Sequence, residues 1–130
     1  MRRRSRTAFA GVLLASVVAT AACSRATTTQ QAYTDITVGE LQEMMASKDF
    51  VLVNVHTPWA GDIEGTDLSI PYNEIGHRTG EIPGGPDAKI VLYCRSGHMS
   101  AAAAEAMASL GYHHVYNLVG GRQAWEAAER

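Results

Sequence analysis

Cysteine is scarce in this sequence: Cys23 and Cys94 are the only two. Long apolar runs are missing as well. The longest apolar run, Ala8 to Ala22, carries no charge and falls short of the ~20 residues a comfortable membrane span needs. Positive charge is concentrated at one end. Four of the eleven Lys and Arg residues lie within Met1–Arg6, leaving seven against thirteen Asp and Glu in the remainder. A body with a net charge of −6 does not suit nucleic acid or an anionic membrane surface.

What is present at the start is a processing signal. A basic head, a short apolar middle and small residues at its end are the pattern of a secretory leader, and residues 1–22 are set aside from the fold. The leader ends Thr20-Ala21-Ala22-Cys23, which resembles a bacterial lipobox. That resemblance implies a lipidated Cys23 as the new N-terminus, and an exported protein tethered to membrane in the periplasm or at the cell surface. Ordinary cleavage near Ala21, leaving Cys23 free, is the alternative. Residues 23–33 are a small, polar, Thr-rich tether, and residues 34–130 suffice for one compact domain, expected to be monomeric. With Cys23 lipidated, Cys94 has no disulfide partner and stands as a lone, reactive thiol.

Within the domain, Thr37 and Glu40 have capping-box spacing, so a helix is expected there with Leu41, Met44 and Met45 facing inward. Phe50–Val55 is a short apolar, β-branched run that fits a strand buried on both faces. Glycines and prolines punctuate residues 56–82, leaving room for a short strand at Leu68–Ile70 and a short helix at Asn73–Arg78. Lys89–Tyr93 is a second buried strand. An Ala-rich helix follows from Met99 to Leu110, ended by Gly111. His114–Leu118 is a third clear strand, and Arg122–Glu129 a last helix with Ala124, Trp125 and Ala128 inward. Alternating strands and helices predict an α/β fold, a parallel sheet with helices on both faces.

Cys94 follows directly on the strand Lys89–Tyr93, and Arg95-Ser96-Gly97-His98 links it to the helix. Ligand sites in open α/β sheets lie at such strand ends. Successive N–H groups there form an anion-binding nest, helped by the helix dipole, and a thiol in that setting ionises more easily.

Cys94-Arg95-Ser96-Gly97-His98-Met99-Ser100 resembles the active-site loop of rhodanese-like sulfurtransferases, often Cys-Arg-Ser-Gly-x-Arg-Ser. Three more segments resemble the family in order: Val53–Pro58, Gly61–Thr66 with Ile70–Ile75, and Gly111-Tyr112 through Gly120-Gly121 to Ala124-Trp125. The resemblance implies a five-stranded parallel sheet and sulfur transfer through a Cys94 persulfide. Backbone N–H groups of Arg95, Ser96, Gly97, His98 and Met99 would cradle the anionic sulfur. The donor would be a small sulfur-containing anion such as thiosulfate, and the acceptor a thiol or cyanide. Neither cofactor nor metal is implied. Two charged supports common in the family are absent: Met99 stands where Arg is frequent, and Asn54-Val55-His56 replaces Asp-Val-Arg.

Other candidates carry plainer readings. The His98 side chain is expected to face solvent, and His56, at a strand's C-terminal end, to point toward the site region without a functional role. Trp59 fits a pocket wall or the core equally. Asp62 and Glu64 read as a solvated loop, His113 and His114 as opposite faces of a strand, and Arg122 as the start of the last helix rather than a neighbour of the cysteine loop. A phosphatase or arsenate reductase would require Cys-x5-Arg, and position 100 is Ser. A lipid-anchored binding module with an incidental cysteine is the remaining alternative.

Overall fold

The structure, a computed structural model, describes residues 31–130 together with Gly11. Most of the leader, Cys23 and the greater part of the tether lie outside the described residues. No helix among those described is long and apolar enough to cross a membrane.

Five strands form one parallel sheet: β1 (Thr34–Ile36), β2 (Val51–Asn54), β3 (Leu68–Ser69), β4 (Lys89–Tyr93) and β5 (His114–Leu118), in the order β1-β5-β4-β2-β3. Three helices cover it: α1 (Val38–Ala46), α2 (His98–Ser109) and α3 (Gly121–Ala128). Side chains alternate across the central strand β4, and this alternation sorts the core into two layers. Ile90, Leu92 and Cys94 face α2, where Ala103, Ala104 and Met107 are fully buried. Val91 and Tyr93 face the other way, toward Leu41 of α1 and Trp125 of α3. The alanines of α2 have almost no side chain to keep it off the sheet, so the helix lies close against β4 and β5.

Most expected elements are present, with shifted ends. The Thr37 hydroxyl accepts from Glu40 N at 3.2 Å while the Glu40 carboxylate accepts from Thr37 N at 2.7 Å, completing the capping box. Met44 and Met45 are only half-buried, and Ala128 is exposed, so the inward faces of α1 and α3 are narrower than expected. The short helix expected at Asn73–Arg78 is a single 3-10 turn, Ile75–His77. Helix α2 begins at His98, one residue early, because left-handed Gly97 (φ 112°) turns the chain straight into it. Strand β1 has no run of its own to announce it. It is three residues long with one buried side chain, and it exists by pairing with Tyr116–Leu118 of β5.

The register that matters for function is between β2 and β4, where Asn54 lies beside Tyr93. The two strands end together, and Val55 N donates to Tyr93 O at 2.8 Å. The chain beyond Asn54 and the chain beyond Tyr93 therefore leave the sheet side by side, at its C-terminal edge.

Candidate active site

Cys94 is the first residue past β4, and only 2% of it is exposed. Its sulfur accepts from Gly97 N at 3.0 Å and from the Ser100 hydroxyl at 3.4 Å. The same hydroxyl lies 3.1 Å from Gly97 O, so one proton serves two acceptors and is free to favour the sulfur when that is charged.

The start of α3 holds the first two carbonyls of the loop. Arg122 N donates to Cys94 O at 2.8 Å, and Gln123 N donates to Arg95 O at 3.0 Å. Each peptide carries its C=O and N–H on opposite sides. Tying the Arg95 carbonyl to α3 aims the N–H of the same peptide, that of Ser96, at the sulfur. The approach is close enough that only glycine fits at position 121 (φ 59°): a Cβ there would lie 2.4 Å from Cys94 O and 2.7 Å from Arg95 O.

Burial pushes the Cys94 thiol up, since a thiolate loses water there. Hydrogen bonds from the Ser100 hydroxyl and from the Ser100, Gly97 and Ser96 amides pull it down by more, so its pKa lies below that of an ordinary thiol.

The sulfur borders a shallow depression lined by Asn54, His56, Gly61, Tyr93, Cys94, Arg95 and Arg122. Asn54 shapes one wall: its Nδ2 donates to Gly61 O at 2.9 Å and Asp62 Oδ1 at 2.8 Å, and its Oδ1 accepts from His56 N at 3.0 Å. Beneath it, the Tyr93 hydroxyl accepts from Ile63 N at 3.0 Å and pairs with the Thr66 hydroxyl at 2.7 Å. The 61–66 loop is thus pinned to the ends of β2 and β4. Among the described residues no group of three or more His, Cys, Asp or Glu could hold a metal ion.

A model of the rhodanese-like domain matches residues 37–128. The chain belongs to the rhodanese-like domain family. Among its relatives, a sulfurtransferase from Allochromatium vinosum is 37% identical over 86 residues, which cover 65% of this chain and 78% of the relative. The thiosulfate sulfurtransferase GlpE of Pseudoalteromonas translucida is 31% identical over 100 residues, covering 75% and 92% of the two chains. A crystal structure of a rhodanese-related protein from Thermoplasma volcanium superposes with a TM-score of 0.63 at 28% identity, covering 74% of this chain and 93% of the other.

Against this rhodanese-like frame, the expected site residues divide. Cys94, Arg95, Ser96 and Gly97 form the loop, and the amides of Ser96 and Gly97 bond the sulfur. The His98 and Met99 side chains do not line the Cys94 depression. His98 opens α2 and borders a separate groove with Tyr33 and Asp35, and Met99 packs half-buried on the core under α2. His56, expected to point toward the site region, lines the depression. Trp59 is 64% exposed and neither walls the pocket nor joins the core; its indole N–H donates to Asp62. Asp62 is a hub for Asn54 and Trp59 rather than a merely solvated residue. Arg122 both sits in the first turn of α3 and reaches the cysteine loop, which corrects the expectation for it. In the sequence Ser100 closes the family-like loop and stands where a phosphatase has arginine, and neither reading makes it a partner of the sulfur. Its proximity to Cys94 follows from helical geometry, which turns its hydroxyl back toward the loop.

The hydrogen bonds on the sulfur set its pH dependence. Alkylation of Cys94 by iodoacetamide should reach its plateau at a lower pH than a free thiol, whose pKa is about 8.5. Ser100→Ala removes a donor to the thiolate and should move that midpoint upward. A midpoint unchanged in the variant would show that the amides alone hold the charge. The depressed pKa also favours the folded chain above the thiol's unfolded pKa. That contribution disappears as pH falls through the folded pKa.

Proposed function

We propose that the chain moves a sulfane sulfur from an anionic donor such as thiosulfate to a thiol or cyanide, through a persulfide on Cys94. The observation that carries this reading is the sulfur's setting: a buried thiol with depressed pKa, bonded by Gly97 N and Ser100, in a loop whose Cys94, Arg95 and Gly97 carbonyls are engaged elsewhere. Relatives named as sulfurtransferases, one of them a thiosulfate sulfurtransferase, support it.

In the first step the Cys94 thiolate attacks the outer sulfur of thiosulfate. A Cys94 S–S bond forms, the outer sulfur's bond to the sulfonate sulfur breaks, and that electron pair leaves with sulfite. The negative charge now rests on the terminal sulfur, and the inward N–H groups of Ser96 and Gly97, with Ser100, lie close to receive it. In the second step cyanide or a thiolate attacks the terminal sulfur, the S–S bond breaks, and its electron pair returns to Cys94. No proton need move in either step. The site's task is to hold a negative sulfur, which is nucleophilic catalysis with an electrostatic cradle.

Position 100 separates this from oxyanion ester chemistry. A Cys-x5-Arg loop clamps a tetrahedral phosphate with a bidentate guanidinium. Here the seventh position is a fully buried serine turned onto the sulfur. Intact-mass analysis tests the proposal. After thiosulfate the protein should gain the mass of one sulfur atom, and cyanide should remove it. A chain that never gains that mass from thiosulfate or any other sulfane donor returns the function to a binding module.

A further inference from the structure

The Cys94 depression takes its positive charge from an unexpected element. Residues 31–130 hold six Lys and Arg against thirteen Asp and Glu. Lys48, Arg78 and Lys89 are paired to Asp67, to Glu74 and Glu81, and to Asp49, well away from the site. Arg130 ends the chain. The remaining two, Arg95 and Arg122, both line the depression beside the cysteine. Two of the domain's six cations therefore meet at one small hollow, Arg122 with Glu126 as its own ion-pair partner.

Arg95 is exposed at the rim, but Arg122 is held. Its side chain is 20% exposed, its Nε lies 3.2 Å from Glu126 Oε1 one turn along α3, and its Nη1 donates to Ala60 O. The guanidinium therefore spans from α3 to the 59–62 loop, along the same hollow as Cys94. Gly61 makes room for it: a Cβ there would fall 2.2 Å from Nη1. Among the described residues no hydrogen bond engages Nη2. An arginine fixed at two of its nitrogens and open at the third is preorganised to receive an anion. Met99, by contrast, packs on the core and brings no charge.

We propose that Arg122 is the anion-binding residue of the Cys94 site, a fixed cation supplied from α3 instead of from the cysteine loop. It would select small oxyanions that carry a terminal sulfur, holding the oxyanion end while the sulfur points at Cys94. This deepens the sulfur-transfer reading and rests on it for the identity of the substrate, though not for the existence of the anion site.

The test uses the full chain and two probes. Arg122→Gln should raise KM for thiosulfate roughly ten- to hundredfold, the range of a lost charge-assisted hydrogen bond, with a much smaller change in kcat. Arg122→Lys should recover part of the loss, because it keeps the charge and loses the fork. The second probe does not depend on turnover. Sulfite, an oxyanion with no sulfane sulfur to give, should slow alkylation of Cys94 by uncharged iodoacetamide in the wild type. In Arg122→Gln, far more sulfite should be needed. Arg122→Met, which keeps the aliphatic stem, gives the same reading if the glutamine variant does not fold. Unchanged KM and unchanged sulfite protection in a folded variant overturn the proposal. A wild type protected by sulfite through Arg122 but never charged with sulfur would support the anion site and sink the transferase reading, so the two failures are distinguishable.

Discussion

Cys94→Ser should abolish sulfur transfer while leaving the domain folded. Thiocyanate formation from thiosulfate and cyanide should drop to the uncatalysed background, and the protein's mass should not change on adding thiosulfate. Shape is not the reason. Serine is nearly isosteric, and its oxygen can still accept from Gly97 N and meet the Ser100 hydroxyl, as the sulfur does now. Stability should therefore change by no more than about 2 kcal/mol, an ordinary cost for one buried atom exchanged. The chemistry is what disappears. The loop's donors lower a thiol enough to populate the thiolate, but an alcohol starts too far above neutral pH for the same bonds to ionise it. It also cannot form the S–S bond on which the second step depends. A Cys94→Ser protein that still turns over would show that the sulfur passes through some other group, and the persulfide reading would fail with it.

How much of this was legible in the sequence depends on how local each determinant is. Strands β2 and β4 announce themselves because both faces are buried, so nearly every residue in Val51–Val53 and Ile90–Tyr93 is apolar. Helix α2 is legible from its alanines and its terminal glycine. Cys94 could be placed because its role follows from position alone, one residue past a central strand. Strand β1 could not be read from its own residues. Asp35 is a poor strand former, and what holds it is partly the Asn117 amide, which donates to its carboxylate at 2.8 Å from 82 residues away. The same distance in sequence hid the rest of the site. Arg122 meets Ala60 and Gly61 only because α3 docks on the cysteine loop while β2 and β4 end in register, a coincidence of three elements. Asn54 looked like the loss of a charged support. In the fold its neutral amide is fully used, giving two bonds to the 61–62 loop and accepting one from His56 N, a task an aspartate with no N–H to give could not perform.

The docking of α3 on the loop is itself open to test, and Gly121→Ala should be the most destabilising conservative change near the site. Two costs add. Alanine must adopt φ 59°, which its Cβ resists, and that Cβ would press on backbone atoms, 2.4 Å from Cys94 O and 2.7 Å from Arg95 C and O. Backbone cannot swing aside as a side chain can, so α3 must move off the loop. A strained left-handed residue costs about 1–3 kcal/mol, and overpacking a fitted contact adds a similar amount, so a loss of roughly 2–5 kcal/mol is expected. At about 4–8 °C per kcal/mol for a domain of this size, Tm should fall by at least ~8 °C. Gly85→Ala supplies the control. Gly85 has nearly the same conformation (φ 63°), but a Cβ there meets nothing within 4 Å, so only the backbone cost remains, about 1 kcal/mol. The difference between the two variants measures the close approach. Function should follow it: as Arg122 N and Gln123 N draw away from the Cys94 and Arg95 carbonyls, those peptides are freed to rotate and the Ser96 amide no longer points at the sulfur. The surviving folded fraction of Gly121→Ala should show a Cys94 alkylation midpoint shifted to higher pH and slower charging with sulfur, whereas Gly85→Ala should match the wild type in both. Equal stability losses in the two variants would mean that α3 does not press on the loop, and that something other than its docking orients the cradle.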